Sequence, residues 1–388
     1  MKVLIVHRYF WPEDSVAEEP LMLKDYVNWH LGKGHEVDIV FGSQDDYSDL
    51  WKEQFKSKLN FHYFISDIDR KLSFLNRILN SIRVLLLAAR SILSSRKFDL
   101  IYVFSNPPLV SLFINILNRF KKKKSKVIFI LQDNVIYRIK NDIVKLLFKN
   151  YLKQVVSLSD VTLTLSKPMK YEIESYFSEK YQSLVRRKVF VLVNFCFDLD
   201  TSSDDLCHKK DLIDIIYAGN HGPSQGLMSF LEVIANIKNH RSLKISFYGE
   251  GTQKEEIIKK SRKLDLMIKF HPNISRKEIK PIIAKSKFGL VSMEKSLGSY
   301  AFPSKLASYL SCGTKVIVSS NGEDPLKNYI EKNNCGFAVD SANPTKAAEI
   351  ISQKLELFDE RKNKISRKVL EQFDKNIYFK TLDKIIFD

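Results

Sequence analysis

Cysteine is scarce in this chain, with four in 388 residues: Cys196, Cys207, Cys312 and Cys335. None stands in a C-x-x-C pair and no histidine clusters with them. That spacing argues against a zinc site or a disulfide framework and points to buried thiols in a reducing compartment. Long hydrophobic runs are missing too. "MKVLIVHRYFW" is too short for a signal peptide and reads as a strand. "NPPLVSLFINILN", Asn106 to Asn118, falls short of the roughly 20 residues that span a bilayer. Low-complexity sequence is absent apart from "KKKK" at Lys121 to Lys124. Acidic residues are depleted in one region: residues 51–150 hold 20 Lys and Arg against 6 Asp and Glu, whereas residues 1–50 hold 4 against 10. With a formal net charge of +17 for the whole chain, the excess is local, and the partner of that region is expected to be anionic.

What is present is a folded chain. An apolar fraction of 44% with 28% charged residues excludes disorder. The length predicts two domains. Strands and helices alternate from the start: "KVLIVHRYF", a helix over "EEPLMLKDYVNWHLGKG" stopped by Gly32 and Gly34, then "HEVDIVFGS". Such a unit implies a parallel sheet. "RILNSIRVLLLAARSILSS" continues as a helix, with "FDLIYVFS", "KVIFILQD", "DVTLTLS" and "KVFVLVNF" as strands. "CFDLDTSSDDLCHKKD" (196–211) is polar and aperiodic, and is expected to be a linker. The alternation then restarts with "LIDIIYAGN" and runs on through "LKISFYGEG", "DLMIKFHPN", "FGLVSME" and "KVIVSS". The expected plan is therefore residues 1–195, the linker, and residues 212–370. A last helix, "ISRKVLEQFDKNIYFKTLDKIIF", is expected to return over residues 371–388 to the first domain.

Glycine is rare, 13 in all, yet "GSYAFPSKLASYLSCGTKVIVSS" (298–320) sets Gly298 and Lys305 beside a short helix between two apolar strands. The helix is expected to start near Pro303 or Ser304 and to stop at Gly313. Its N-terminus then lies at the C-terminal edge of a parallel strand, where open α/β sheets bind ligands. Backbone N–H groups there attract phosphate, and Lys305 adds a full charge. A capped crossover helix with a solvated lysine is the plainer alternative.

The ordered set "VHRYFWPE", "LGKGHEVDIV", "SNPPL", "LQDN", "LTLSKPM", "VLVNFCFD", "YAGNHGPSQGL", "FYGEG", "FHPNIS" and "PSKLASYLSCGTKVI" resembles the two-domain glycosyltransferases of family 4. Within that family it is most similar to enzymes of bacterial surface-polysaccharide assembly. The resemblance covers nearly the whole chain and implies the α/β GT-B fold, two doubly wound Rossmann-like domains facing a cleft. It implies a retaining, metal-independent transfer with no cofactor. A nucleotide-diphosphate-sugar donor would sit in the second domain and a lipid-linked glycan acceptor would enter from the first. Domain closure would complete the site, and the protein would be cytoplasmic, peripheral on the inner face of the cell membrane.

The residues expected to bind the donor are Gly219, Gly222 and Gln225 in the first loop of the second domain. Gly249, Gly251, Phe270, His271 and Glu294 follow, then Gly298, Ser299, Tyr300, Ser304, Lys305 and Ser308. Lys305 is also the candidate for stabilising the leaving diphosphate. His7 is a candidate acceptor contact or an ordinary turn histidine. Asp133 is a candidate for holding an acceptor hydroxyl or a local polar partner. Arg83, Arg90 and Lys121, Lys122, Lys123 and Lys124 lie on apolar helices suited to an anionic membrane surface, or to a core-facing helix with a solvated basic side. The sequence departs from the family where many members carry two glutamates separated by seven residues. Ser308 stands at the second of these positions. Asn220 and Gln225 stand where many members have arginine and lysine. An inactive homologue is the alternative this leaves open. A nucleic-acid-binding protein is disfavoured, because no helix-turn-helix, zinc-finger or RNA-sheet signature occurs. Asp198 and Asp200 form a lone D-x-D without further ligands, and no metal is expected there.

Overall fold

The computed structural model describes residues 1–9, 18–43, 58–66, 74–94, 97–107, 109–132, 136, 139–195, 212–294, 304–320, 325–359 and 364–388. The expected linker, together with Asp133, Gly298, Ser299, Tyr300 and the D-x-D pair, lies outside them. The chain divides into one unit of Met1–Leu192 with Leu382–Asp388, and a second of Val193–Thr381.

The first unit is built on a seven-stranded parallel sheet. Its strands are β1 (Lys2–Tyr9), β2 (Glu36–Ser43), β3 (Leu59–Ile65), β4 (Leu100–Phe104), β5 (Lys126–Leu131), β6 (Val161–Thr164) and β7 (Val189–Val191), in the order β3-β2-β1-β4-β5-β6-β7. The helices are α1 (Glu18–Gly32), α2 (Phe74–Leu93), α3 (Val110–Arg119), α4 (Asp142–Leu158), α5 (Lys167–Ser175) and α6 (Glu179–Arg186). β1 and β4 are buried along almost their whole length, which is why they read as continuous apolar runs. Val84, Ala88 and Ile92 of α2, Val110 and Ile114 of α3 and Leu152 and Val156 of α4 pack against Leu4, Val6, Ile101, Val103 and Phe129.

The second unit is built on a six-stranded parallel sheet of β8 (Ile213–Ala218), β9 (Ile245–Tyr248), β10 (Ile268–His271), β11 (Ser286–Ser292), β12 (Lys315–Ser320) and β13 (Gly336–Asp340), in the order β10-β9-β8-β11-β12-β13. Its helices are α7 (Leu227–Ala235), α8 (Lys254–Lys263), α9 (Arg276–Ala284), α10 (Ser304–Ser311), α11 (Pro325–Lys332), α12 (Pro344–Glu356) and α13 (Arg367–Glu371). Successive side chains of a strand face opposite sides. Ile215, Tyr217, Leu290 and Ile317 therefore pack with α7 and α12 on one face. Ile216, Val291, Val316 and Val318 pack with α10 and α11 on the other. Both sheets reverse direction of growth at their centre, between β1 and β4 and between β8 and β11. That switch point is where a doubly wound sheet opens a crevice.

Two local expectations change. The last helix is two helices, α13 and α14 (Lys375–Phe387): α13 closes at Gln372, and Asp374 caps α14, its side chain accepting from the Ile377 N–H at 2.8 Å. Phe195, expected in the first domain, packs edge-on to Tyr378 at 4.7 Å and so joins the second unit. The end of α14 belongs to the first unit, where Asp383 accepts from Trp29 and pairs with Lys33.

Candidate functional site

The site grows from the turn after β8. Gly219 has φ +144°, and a Cβ there would strike Lys305 Cε. Gly249, after β9, has φ +136°, and its missing Cβ leaves room for the Gly219 carbonyl. A Cβ on Gly251 would fall 2.5 Å from the His221 carbonyl and 2.6 Å from Asn220 Oδ1. These three glycines let two loops lie backbone against backbone, a packing no larger residue permits. Hydrogen bonds fix the arrangement: Gly219 N–H to the Tyr248 carbonyl, 2.9 Å; His221 N–H to the Glu250 carbonyl, 2.8 Å; Gln253 N–H to the His221 carbonyl, 2.9 Å. The loop closes in a short 3-10 turn, Pro223–Gln225, and Gly226 at φ +59° opens α7 without a side-chain cap. Gly222, expected among the donor contacts, has only the Asn220 amide near its Cβ position.

Lys305 is brought to this loop by α10. Its ammonium donates to the Tyr217 hydroxyl at 2.8 Å and to Gln225 Oε1, and stands 4.5 Å from the centre of the Tyr217 ring. The Tyr217 hydroxyl in turn donates to the Asn220 carbonyl at 2.5 Å. Residues 88 apart in sequence thus form one relay from helix to loop. α10 is seated by Tyr309, whose buried hydroxyl accepts the Ala218 N–H at 2.8 Å. Gly289 makes room for that ring, since any Cβ there would collide with it.

His221 sits inside the loop, fully buried. Neither ring nitrogen finds a hydrogen-bond partner of good geometry. Burial first, then the ammonium groups of Lys254 and Lys305, push its pKa down to about 4, with the Glu250 carboxylate and the Gly219 carbonyl offsetting part of this. The ring is therefore neutral at pH 7 and does not add to the local positive charge. Lys254 comes from α8, where it pairs with Glu250 at 2.6 Å and donates to the His271 carbonyl at 3.2 Å.

Other predicted residues take less direct places. Glu294, at the end of β11, has its N–H bonded to the Ser224 carbonyl at 3.1 Å, which ties the 3-10 turn to the switch point. His271 stacks flat on Tyr248 at 4.2 Å, and burial and the neighbouring lysines lower its pKa. Phe270, on the edge strand β10, is half-buried and places its ring edge-on to Phe247 at 5.7 Å, against the core. Ser304 opens α10, and Ser308 donates its hydroxyl to the Ser304 carbonyl at 3.2 Å.

In the first unit His7 lies within β1, not at its end, and is 2% exposed. Its Nδ1 meets the Tyr9 backbone and its ring sits edge-on to Phe104 at 5.0 Å. Burial pushes its pKa down to about 4, so it is a neutral interior histidine. Arg83 and Arg90 are exposed on α2, and Lys122 to Lys124 are exposed after α3 with Lys121 half-buried. Among the described residues, no group of three His, Cys, Asp or Glu side chains is placed to hold a metal ion, and no helix is long and apolar enough to cross a membrane.

Sequence reasoning missed Tyr217, His221 and Lys254. The signal was partial: "YAGNHG" sets a tyrosine and a histidine around the glycine, but their partners lie on other elements.

Residues 200–370, nearly all of the second unit, match the family model described as glycosyl transferases group 1. No curated protein matches the chain. Among solved structures the chain is similar to HepE of Anabaena in complex with UDP-glucose, with a TM-score of 0.67 and 14% identity over 100% of this chain and 99% of that one. It is similar to the lipopolysaccharide outer core galactosyltransferase WaaB in its apo form, with a TM-score of 0.64 and 14% identity over 100% and 99% of the two chains. It is also similar to sucrose-phosphate synthase from Thermosynechococcus elongatus, with a TM-score of 0.72 and 11% identity over 99% and 98%. At such identities the likeness is one of fold: two Rossmann-like domains, the GT-B fold class of glycosyltransferases.

Proposed function

We propose that the chain is a glycosyltransferase that moves a sugar from a nucleotide-diphosphate sugar to a lipid-linked glycan, in the assembly of a surface polysaccharide, with retention at the anomeric carbon and without a metal. The observation that carries this reading is the relay of Lys305, Tyr217 and Gln225 at the switch point of the second sheet. As the bond from the anomeric carbon to the phosphate oxygen breaks, the electron pair stays on the diphosphate. An ammonium and preorganised N–H groups at that oxygen lower the barrier. The acceptor hydroxyl oxygen forms the new bond to the anomeric carbon, and its proton passes to the departing diphosphate oxygen. The match to group 1 glycosyl transferases supports the reading, and so do the UDP and UDP-glucose complexes of the structurally similar HepE. The similar WaaB, a lipopolysaccharide galactosyltransferase, supports the polysaccharide setting. The side chains of Asn220, Gln225 and Ser308 carry no charge, so positive charge comes to the loop region from helix lysines, Lys305 and Lys254.

The test is thermal shift of the full chain against a panel of UDP-, GDP- and dTDP-sugars, repeated with Lys305→Ala. One nucleotide class is expected to raise the melting temperature, and the variant to lose about 10- to 100-fold in affinity, as for a charge-assisted hydrogen bond. Equal affinity in wild type and variant removes Lys305 from the phosphate site. A second reading, a homologue that binds the donor without transferring sugar, is favoured by Ser308, whose hydroxyl is spent on its own helix. Nucleotide binding without turnover selects it.

A further inference from the structure

α2, α3 and α4 lie side by side on one face of the first sheet, with α3 packed on both of its neighbours. An amphipathic helix at the surface needs one apolar stripe, turned inward. Each of these helices carries two. On α2, Val84, Ala88 and Ile92 are buried, yet Leu75, Leu79, Ile82 and Leu86 are exposed. The exposed set is spaced by three, four and seven residues, and lies about half a turn from the buried set. On α3, Phe113 and Ile116 point outward, with Phe120 just beyond the helix end at 81% exposure. On α4 the first two turns are exposed on every side, with Ile143, Leu146 and Leu147 bare to solvent.

The charge around these stripes is almost all positive. The three helices hold a single acidic residue, Asp142. Arg83 and Arg90 lie beside the outward stripe of α2, Arg119 ends α3, Lys121 to Lys124 follow it, and Lys145 lies among the bare leucines of α4. A second copy of the chain, meeting this face with its own, would set like charges together. An anionic lipid layer pairs with the cations and takes up uneven apolar side chains at once.

We propose that the outward stripes of α2, α3 and the first two turns of α4 form a bilayer-insertion face, which enters the acyl boundary of an anionic membrane rather than resting on its headgroups. This deepens the proposed function, whose lipid-linked acceptor would lie in a membrane, and rests on that reading for its biological sense, but its physical test is independent of sugar transfer. Apolar insertion resists salt, whereas headgroup attraction is screened.

The experiment is co-sedimentation of the full chain with vesicles of about 30% phosphatidylglycerol in phosphatidylcholine, at about 0.1 M and about 1 M NaCl. The variants are L146S/L147S and F113S/F120S, all exposed positions, with thermal melts as the control for folding. Wild type is expected to bind and to stay largely bound at high salt. Each double variant is expected to lose about tenfold or more in partition coefficient with an unchanged melting curve. Full release of wild type by salt overturns the proposal, as does equal binding by the variants. A wild-type dimer that both variants convert to monomer overturns it too, by assigning the face to a second copy. Nucleotide thermal shift run on the same samples separates the two readings. Vesicle binding without any nucleotide response sinks the glycosyltransferase reading and leaves the insertion face standing, and the converse result does the opposite.

Discussion

Lowering the pH from 7 to 5 should destabilise this protein through three interior histidines. Burial holds His7 and His221 at about 4, and burial with the neighbouring His35 holds His30 at about 3, against an ordinary value of 6.5. All three shifts are downward, so the folded protein refuses protons that the unfolded chain accepts below pH 6.5. Stability is therefore full above that value and falls as the pH drops toward the folded pKa. At pH 5 each histidine forfeits about 2 kcal/mol, since one pKa unit corresponds to about 1.4 kcal/mol. The first unit holds two of them and so loses about 4 kcal/mol, a large share of an ordinary domain stability of about 5–15 kcal/mol. The second unit, with His221, loses about half as much. Urea denaturation at several pH values measures the loss, and NMR titration of the histidine ring protons assigns it. Ring protons of His7, His30 or His221 that titrate near pH 6.5, or urea midpoints that do not move between pH 7 and 5, would refute the reasoning.

Two further predictions concern the scaffold of the site. Tyr309→Phe removes the acceptor of the Ala218 N–H and should cost about 1–3 kcal/mol in urea denaturation, the penalty for an orphaned buried donor; no loss would mean that the N–H finds another partner. Gly249→Ala puts a methyl group onto the Gly219 carbonyl in a backbone conformation that side chains avoid, whereas Gly313→Ala, at φ +73°, meets nothing within 4 Å. The first should cost more than about 3 kcal/mol and the second about 1 kcal/mol, so similar melting temperatures for the two would count against the close loop packing.

The alternation of strands and helices was legible because parallel strands buried on both faces read as unbroken apolar runs. β3 was not legible. "LNFHYFI" is half-exposed through most of its length at the edge of the sheet, and it mixes histidine, tyrosine and asparagine with its apolar residues. α4 to α6 also escaped the reading, although α4 has Asn141 as a clear cap, with its side chain accepting from Ile143 and Val144 N–H. At the site, glycines and Lys305 stood out by rarity and position. Tyr309 is by burial one more core residue of α10. Its second role, holding the Ala218 N–H, depends on a contact across 91 residues that no local pattern records. His221 gave no signal of its own, because its protonation is set by burial and by lysines on two other helices.

The distribution of charge at the donor loop follows from this division of labour. Residues 219–226 contain no lysine or arginine, and their one histidine is held neutral. Positive charge therefore reaches the loop from helices, Lys305 on α10 and Lys254 on α8. Lys254 is engaged with Glu250, so part of its charge is spent within the loop region. Lys305 donates to a phenol and an amide carbonyl, which orient its ammonium. The Tyr217 ring beneath adds attraction from its face while keeping water from that side. The loop supplies only a shape, which is why glycines at 219, 249 and 251 matter more there than any charged side chain of the loop itself.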